Sequence, residues 1–347
     1  MHPINPGSDN ILIVRTDRLG DVVLTLPMAR AIKKALPETR VTFLARDYTR
    51  PIIERCPDVD QVRSVEEKTS FWKLVRHFRK MDVAFFPSPK FPLVLAGFVA
   101  RVPKRIGTGY RWYSFLFTHK IYEHRKTAER NEAAYNLHML PSVGINAEEN
   151  ALPQIKLRSP EIQFVDRWIV EQLGKSDTKF AVLHITSGGS SQQWPVQKFI
   201  ELGNAIVKKY EMNIVLTGVA SDANIINVAT ASIGVGRAIP FVGHGILELA
   251  ALLERASIVT AGSTGPGHLA AALGTPTIGL FPLPRALSKE RWGFRGVRVI
   301  NFSPNPITDC PNCEHCTCME RMDTSNVIKS VEILFSEFQE QAVESAA

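Results

Sequence analysis

A chain of 347 residues exceeds the size at which a single hydrophobic core stops growing, so its length favours two domains. Hydrophobic residues make up 45% and charged residues 22% of the chain, and the mean hydropathy is −0.03; these values exclude intrinsic disorder. No apolar run of ~18 residues and no secretory pattern at the start, MHPINPGSDN, is present, so we expect a cytoplasmic protein.

The net charge of +7 is concentrated in the first half of the chain. Residues 1–174 carry 27 Lys and Arg against 19 Asp and Glu, whereas residues 175–347 carry 14 against 15. This asymmetry favours an acidic partner for the first half, although a diffuse excess of charge is also typical of a solvated surface. No nucleic-acid-binding motif accompanies it, so we expect no nucleic-acid partner.

Apolar runs alternate with amphipathic segments along the first half. Strands are predicted at 10–15, 40–45, 61–64 and 83–86, and helices at 21–36, 49–55, 71–80 and 131–143. The alternation indicates βαβ crossovers and a parallel sheet covered on both faces. The polar segment 146–160, which carries Pro153 and Pro160, predicts a domain boundary, which we place after residue 155.

The alternation restarts in the second half. Strands are predicted at 180–184, 213–217, 238–241, 258–261 and 277–281, and helices at 196–209, 222–231, 246–254 and 266–273. We therefore predict two doubly wound α/β domains, 1–155 and 156–323, with ligands bound in the cleft between them at the carboxyl ends of the strands. A closing helix at 324–338 has no obvious place in the second sheet and is expected to pack back on the first domain.

The first chemical motif is TDRLGD at residues 16–21, which follows the first strand and opens the first helix. Gly20 permits a tight turn, and the amides at a helix N-terminus favour an anion. Asp21 is placed either as a helix N-cap or as a general base that accepts the proton of an attacking hydroxyl, and Asp17 is a second carboxylate in the same loop. The spacing leaves both interpretations of Asp21 open.

The second motif is AGSTGPGH at residues 261–268, again between an apolar strand and a helix. Pro266 presets the first helical turn, so the amides of Ser263, Thr264 and Gly265 can hold a pyrophosphate at the positive end of the helix. The spacing is neither that of a P-loop nor that of the usual dinucleotide fingerprint, which disfavours an NTPase or a dehydrogenase. A plain glycine-rich turn is the alternative.

Two further loops follow strands of the second half. In HITSGGSSQQWP, at residues 184–195, Thr186, Ser187 and Gly188 can donate to phosphate oxygens, although a solvated Ser/Gly loop has the same composition. In GVASD, at residues 218–222, Asp222 is placed either to accept hydrogen bonds from ribose hydroxyls or to cap the next helix. Three such loops on one rim predict a nucleotide site.

These motifs together resemble glycosyltransferase family 9, the ADP-heptose:lipopolysaccharide heptosyltransferases. The resemblance rests on DRLGDVVLTLP, HxxSGGxxxxWP and STGPGHLAAALGTPTIGLF and spans about residues 11–331. It implies a GT-B fold of two Rossmann-like domains, the first holding the acceptor and the second the nucleotide-sugar. By position it makes Asp21 the catalytic base, Thr264 and Gly265 diphosphate ligands, His268 a histidine on the same turn, and Asp222 an acidic residue near the ribose.

The resemblance implies an inverting glycosyltransferase that moves a heptose from ADP-heptose to an anionic lipopolysaccharide-core acceptor at the inner membrane surface, with no cofactor or metal in the site. Two positions depart from the family pattern: Ser263 replaces a frequent aspartate, and Gln192 replaces a lysine that would supply a cation near the phosphates. They leave the donor open between ADP-heptose and a related nucleotide-sugar. The predicted donor-site residues are Thr186, Ser187, Gly188, Gln192, Asp222, Ser263, Thr264, Gly265 and His268.

The predicted acceptor-binding cations lie in the first domain. Arg101, Lys104, Arg105 and Arg111 occur in the segment RVPKRIGTGYR, predicted as a loop that meets phosphates or acidic sugars, and Arg18 lies beside Asp21. Two alternatives stay open for the chain as a whole. One is a GT-B sugar-nucleotide epimerase or hydrolase, and the other is a non-catalytic protein that binds an anionic ligand.

Four of the five cysteines are clustered near the C-terminus. Cys310, Cys313, Cys316 and Cys318 are close enough in sequence for a zinc ion or an iron–sulfur cluster, but their spacing suits neither a standard zinc ribbon nor a ferredoxin. Metal binding by this cluster is left open.

Overall fold

The computed structural model describes residues 10–189, 192–234, 236–305 and 317–344, with side chains up to residue 335. The chain divides into two compact units, Met1–Lys156 and Leu157–Ala347. This division lies one residue beyond the boundary expected from the sequence.

The first unit contains a six-stranded parallel sheet in the order β3-β2-β1-β4-β5-β6. Its strands are β1 Asn10–Val14, β2 Arg40–Arg46, β3 Gln61–Val65, β4 Val83–Phe85, β5 Lys104–Thr108 and β6 His119–Ile121. Its helices are α1 Leu19–Val23, α2 Leu26–Ala35, α3 Arg50–Ile53, α4 Phe71–Phe78, α5 Phe91–Val99 and α6 Glu132–Leu137.

The central strands of this sheet are apolar on both sides because helices cover both faces. Ile11, Leu12 and Ile13 of β1 are fully buried, as expected for a parallel strand inside a doubly wound sheet. Strands β1 and β4 are neighbours, yet the connection after β1 leads to β2 on one side and the connection after β4 leads to β5 on the other. This reversal opens a crevice at the carboxyl ends of β1 and β4, where doubly wound sheets bind ligands.

The second unit contains another six-stranded parallel sheet, in the order β12-β11-β10-β7-β8-β9. Its reversal lies between β7 and β10. The strands are β7 Phe180–His184, β8 Asn213–Gly218, β9 Ala238–Val242, β10 Ile258–Gly262, β11 Thr277–Leu280 and β12 Val299–Phe302. The helices are α7 Ser159–Leu173, α8 Val196–Tyr210, α9 Ala223–Ser232, α10 Ile246–Arg255, α11 Gly265–Ala272, α12 Lys289–Trp292 and α13 Thr324–Glu344.

The last helix corrects one expectation from the sequence. Val327, Val331 and Leu334 of α13 are buried in the hydrophobic core of the second unit, where the helix packs on α8. The described residues of α13 therefore have a place in the second unit, contrary to the sequence-based expectation.

The elements differ from the prediction at a few further points. The helix expected at 21–36 is two helices, α1 and α2, because Pro27 occupies the first turn of a new helix, where its missing amide is tolerated. Strands β5, β6 and β12 and helices α5, α7 and α12 were not predicted. Within the part of the chain that the structure describes, no helix combines the length and apolarity needed to cross a bilayer.

Candidate active site

Asp21 lies at the crevice of the first unit, in the first turn of α1. The helix begins at Leu19, so Asp21 is its third residue and not its N-cap, which corrects that interpretation. Its Oδ2 accepts a hydrogen bond from the Arg18 amide at 3.1 Å, reaching back over the helix start. The side chain is 18% exposed, so this carboxylate both closes the helix end and faces solvent.

A buried guanidinium organises the carboxylates around Asp21. Arg15, directly after β1, is almost inaccessible and contacts the Oδ1 of Asp21, the Oδ2 of Asp17 at 3.1 Å and the Oε1 of Glu132 at 3.1 Å. Burial alone lowers the pKa of Arg15, but Glu132, Asp21 and Asp17 outweigh burial and raise it, so Arg15 stays charged. Arg125 shares the same oxygen of Glu132. Three carboxylates are thus balanced by two guanidinium groups.

Lys90 spans the crevice between the loops that follow β1 and β4. Its Nζ lies 3.1 Å from the Oδ1 of Asp17 and donates to the carbonyl and hydroxyl oxygens of Thr16 at 3.0 and 3.1 Å. Asp17 is therefore held by Arg15 on one side and by Lys90 on the other. Among the described residues Asp21 has no second cation, and its side chain is 18% exposed against 22% for Asp17.

The structure separates the predicted acceptor-binding cations into two groups. Arg18 and Arg111 follow the carboxyl ends of β1 and β5, on the edge of the sheet that carries Asp21. Lys104 and Arg105 begin β5, so they are on a strand and not in the predicted loop, and with Arg101 they lie at the opposite edge. Arg105 also donates to the carbonyl oxygens of Leu116 and Val102, and burial lowers its pKa.

In the second unit, the loop between β10 and α11 forms one wall of the crevice. Helix α11 begins at Gly265, Thr264 is its N-cap, and Pro266 lies in its first turn. The first amides of a helix have no intrahelical acceptor, and the first i to i−4 bond here is donated by the His268 amide to the Thr264 carbonyl at 3.3 Å. The Gly265 amide is thus presented at the positive end of α11.

Two buried polar groups at this loop have no partner among the described residues. They are the hydroxyl of Thr264, which is 5% exposed, and the Nδ1 of His268, which is 4% exposed. Burial lowers the pKa of His268 to about 3, so its ring is neutral at physiological pH and contacts Phe294 edge-on. Unsatisfied buried polar groups carry a free-energy cost, and their clustering at a helix N-terminus indicates a ligand site.

Gly267 accounts for the close packing beneath this loop. A Cβ placed on Gly267 would lie 2.1 Å from the Phe294 ring, so only glycine allows α11 to sit against that ring. The glycine at this position therefore has a packing role.

The opposite wall of the second crevice is the loop after β7. Thr186 is buried, Ser187 accepts a hydrogen bond from Gln193 at 3.0 Å, and Gly188 has φ +52°, a conformation that favours glycine. Because His184 pairs with Ala261 in adjacent strands, Thr186 and Ser263 follow neighbouring strand ends. The sheet thus places the Thr186–Gly188 and Ser263–Gly265 loops on the two sides of one reversal point.

Asp222 lies beside this rim after β8. A Cβ on Gly218 would lie 3.1 Å from the Thr186 hydroxyl and 3.4 Å from the Oδ2 of Asp222, so all three positions are close. Asp222 precedes α9 without capping it, and it accepts a hydrogen bond from the Val219 amide at 3.3 Å. Burial lowers the pKa of His184 to about 4, although Asp222 opposes this shift. The ring of His184 bonds to the Thr217 hydroxyl at 2.9 Å.

Gln192 and the WP pair connect the rim to the C-terminal segment. The Cys318 thiol donates to the Oε1 of Gln192 at 3.3 Å, and the Trp194 indole donates to the Met322 carbonyl at 3.1 Å. The Gln192 side chain is thus bonded to another side chain of the protein, and Trp194 is buried in the hydrophobic core. Cys310, Cys313 and Cys316 lie outside the described residues. Among the residues that are described, no group of three His, Cys, Asp or Glu is arranged to hold a metal.

Four polar residues of the first site were missed by sequence reasoning: Arg15, Lys90, Arg125 and Glu132. The sequence did contain one signal for Arg15, which is a charged residue at the end of an apolar strand, directly before TDRLGD. A charge buried at such a position requires an ion-pair partner. Glu132 lies 117 residues from Arg15 in sequence, and nothing local connects them.

Comparison with known proteins gives consistent matches. The family model described as glycosyltransferase family 9 (heptosyltransferase) matches residues 93–320. A provisionally named glycosyltransferase of Haemophilus influenzae is 26% identical over 319 residues, covering 87% of this chain and 89% of the relative.

Two solved structures are similar along almost the whole chain. A family 9 glycosyl transferase of Veillonella parvula has a TM-score of 0.83 at 18% identity, covering 97% of this chain and all of that one. The ADP-heptose lipopolysaccharide heptosyltransferase II of Escherichia coli has a TM-score of 0.77 at 18% identity, covering 95% and 99%. The predicted fold class, two Rossmann-like domains of the GT-B type, is confirmed.

Proposed function

The chain belongs to glycosyltransferase family 9, and on this basis we propose that it transfers a heptose from ADP-heptose to the core of a lipopolysaccharide. The heptosyltransferase II of E. coli, which is similar in fold, is named for this donor and acceptor. The first unit binds the acceptor, and the second binds the nucleotide-sugar. The observation that carries the proposal is that the buried Thr264 hydroxyl and His268 ring nitrogen, beside the amide end of α11, have no hydrogen-bond partner in the described part of the chain.

On the acceptor side, Asp21 is the general base. The acceptor hydroxyl oxygen forms a bond to the anomeric carbon while its proton passes to the Asp21 carboxylate, and the bond from that carbon to the diphosphate oxygen breaks. Arg15 fixes one oxygen of Asp21, and the Arg18 amide orients the other, so the carboxylate is held in place before the acceptor arrives. A single displacement of this kind inverts the anomeric configuration.

On the donor side, the loop 262–268 receives the negative charge that develops on the leaving ADP. The Gly265 amide, the Thr264 hydroxyl and the neutral His268 ring supply hydrogen bonds without a fixed positive charge, and the dipole of α11 adds to them. Asp222 accepts hydrogen bonds from the ribose. With Gln192 in place of a lysine, amides and hydroxyls carry the diphosphate.

The direct test is an assay of purified protein with ADP-heptose and a heptose-deficient lipopolysaccharide core. We expect ADP release and an acceptor heavier by one heptose in mass spectrometry. Thermal stabilisation by ADP-, UDP-, GDP- and CMP-sugars identifies the donor, because a ligand that binds only the native state raises the melting temperature.

The same assay separates the alternatives. An epimerase or hydrolase consumes the nucleotide-sugar in the absence of any acceptor, which an NMR time course detects. A binding protein leaves both substrates unchanged. Either result contradicts the proposal.

A further inference from the structure

One face of the first unit concentrates the positive charge of the chain. Residues 68–122 contain 11 Lys and Arg and a single acidic residue, Asp82, whereas the rest of the chain has 30 Lys and Arg and 33 Asp and Glu. Asp82 is itself occupied, since its carboxylate accepts a hydrogen bond from the Asn10 amide at 2.7 Å. The net charge of +7 thus originates from this one segment.

The topology gathers this segment on one side of the sheet. The steps from β3 to β4, β4 to β5 and β5 to β6 all move in the same direction across the sheet, so right-handed crossovers place their connections on the same face. Helix α4 packs beside α5, and the turn Ser114–Leu116 packs on α5. The outward side of α4, α5 and the connection 109–118 is therefore one surface, which we call the basic face.

The cations of the basic face point outward and are not neutralised by carboxylates. On α4 and its end, exposed cations recur three or four residues apart, which keeps them on one side of the helix. No carboxylate pairs with them among the residues described. These cations are Lys73, Arg76, Arg79 and Lys80 on α4 and its end, Arg101 just after α5, and Arg111 in the connection 109–118.

Large apolar side chains stand among these cations in contact with water. Trp72 is 69% exposed, Trp112 is 73% exposed and Phe115 is 68% exposed, and Phe98 and Val99 at the end of α5 are also exposed. Trp112 rests on Phe91 with ring centroids 4.8 Å apart, so its indole is held in place without being covered. Exposed Trp and Phe mixed with Lys and Arg are typical of surfaces that lie in a lipid headgroup region.

From this arrangement we infer that the basic face docks on an anionic phospholipid bilayer. The cations attract the negatively charged headgroups, and the apolar side chains enter the boundary of the acyl chains. Val99 and the two phenylalanines favour a lipid over a nucleic acid, because a nucleic acid offers apolar side chains only base stacking. The inference rests on the proposed function in one respect: a glycolipid acceptor lies in a bilayer, which gives the enzyme a reason to bind there.

Co-sedimentation with vesicles tests the inference without substrate, donor or turnover. The full chain is mixed with vesicles of equal parts phosphatidylglycerol and phosphatidylcholine, and separately with vesicles of phosphatidylcholine alone. We expect it to pellet with the anionic vesicles, to bind the neutral ones weakly and to be released by salt. A soluble transferase assay that fails while vesicle binding persists disproves the proposed function and leaves the docking surface standing.

Substitutions locate the surface. Replacing Lys73, Arg76 and Lys80 together by Gln is expected to weaken binding roughly 100-fold, since each basic residue near an anionic bilayer contributes about a factor of five. The matched control removes the same charge from exposed positions of the second unit and should change binding little: Lys175→Gln, Lys208→Gln and Lys289→Gln. Trp72→Ser and Phe115→Ser should each weaken binding to the anionic vesicles at low salt, because each removes an apolar side chain from the boundary of the acyl chains.

Two outcomes overturn the inference. One is equal loss of binding in the basic-face triple variant and in the control triple variant, which reduces the effect to net charge. The other is binding of single-stranded RNA that depends on the same residues while the anionic vesicles stay unbound. Unchanged circular dichroism and melting temperature of all variants confirm that exposed substitutions leave the fold intact.

Discussion

The crevices of the two sheets hold polar groups in opposite states. In the first unit, Arg15 forms ion pairs with Asp17, Asp21 and Glu132, so the polar groups there are charged, although the Arg15 Nε and the Asp17 Oδ2 are not aligned for a hydrogen bond. In the second unit, Thr264 and His268 are neutral, buried and without a partner among the described residues. A site for proton transfer must hold its carboxylate in a fixed place, whereas a site for a diphosphate must keep its donors open. The proposed function assigns the ion-paired crevice to the acceptor and the crevice with the unpaired neutral groups to the donor.

Arg15→Met should produce the largest effect, because it leaves Glu132 buried with only Arg125 beside it. Removing one partner of a buried ion pair costs about 3–5 kcal/mol, so we expect the first unit to unfold at lower urea concentration. Urea denaturation followed by tryptophan fluorescence and circular dichroism measures the loss. The control is Lys34→Met, whose contact with Glu148 at 2.7 Å lies between two exposed side chains and should change the stability little. Equal losses would mean that the Arg15 network adds no stability.

Asp21→Asn should lower turnover by about 10²-fold or more, because the amide keeps the shape and the contact with the Arg18 amide but cannot accept a proton. The affinity for ADP-heptose, measured by calorimetry, should change little. Asp17→Asn is the matched control in the same network. It should retain most activity, since Lys90 and Arg15 already occupy its oxygens. If Asp17→Asn loses more turnover than Asp21→Asn, Asp17 and not Asp21 is the general base.

Parts of this contrast could be predicted from the sequence, because some of the residues involved are close together in the chain. The glycine-rich loop 261–268 and the TDRLGD motif can each be recognised from a few consecutive residues. The same holds for the apolar runs that form strands β1, β7 and β10. The grouping of Arg15 with Glu132 depends on tertiary contacts and has no local signature. Strand β5 was hidden because it begins with Lys104 and Arg105 directly after Pro103, which reads as a basic loop. The sequence therefore located the glycine-rich loop and the two aspartates of TDRLGD, but not the contacts of Arg15 with Glu132.

Acid should weaken the second unit through its two buried neutral histidines. Burial lowers the pKa of His184 to about 4 and that of His268 to about 3, so the unfolded chain, with a pKa near ~6.5, binds protons that the folded chain does not. The stability that each histidine contributes is fully present above about pH 6.5 and is lost as the pH falls toward the pKa of the folded state. The loss in the free energy of unfolding is about 2 kcal/mol per histidine at pH ~5.

Melting temperatures measured between pH ~7.5 and ~5 test this loss. His268→Gln should flatten the pH dependence, and His244→Gln, at a partly exposed histidine, is the control. An unchanged slope in His268→Gln would show that His268 does not titrate as a buried neutral group.

Thr264→Val should give the smallest and most specific effect. If the buried hydroxyl donates to a phosphate of bound ADP, the variant loses a hydrogen bond to a charged group, which is worth about 1.5 kcal/mol. Calorimetry should then show that ADP binds roughly 10-fold more weakly. The free protein should be unchanged or slightly more stable, because an unsatisfied buried hydroxyl is replaced by a methyl group of the same shape. Thr260→Val is the matched control, since its hydroxyl is also buried without a partner among the described residues but lies inside β10. It should leave ADP affinity unaltered. Opposite changes in stability and affinity at Thr264, and not at Thr260, would separate a group kept open for a ligand from one that is merely unpaired.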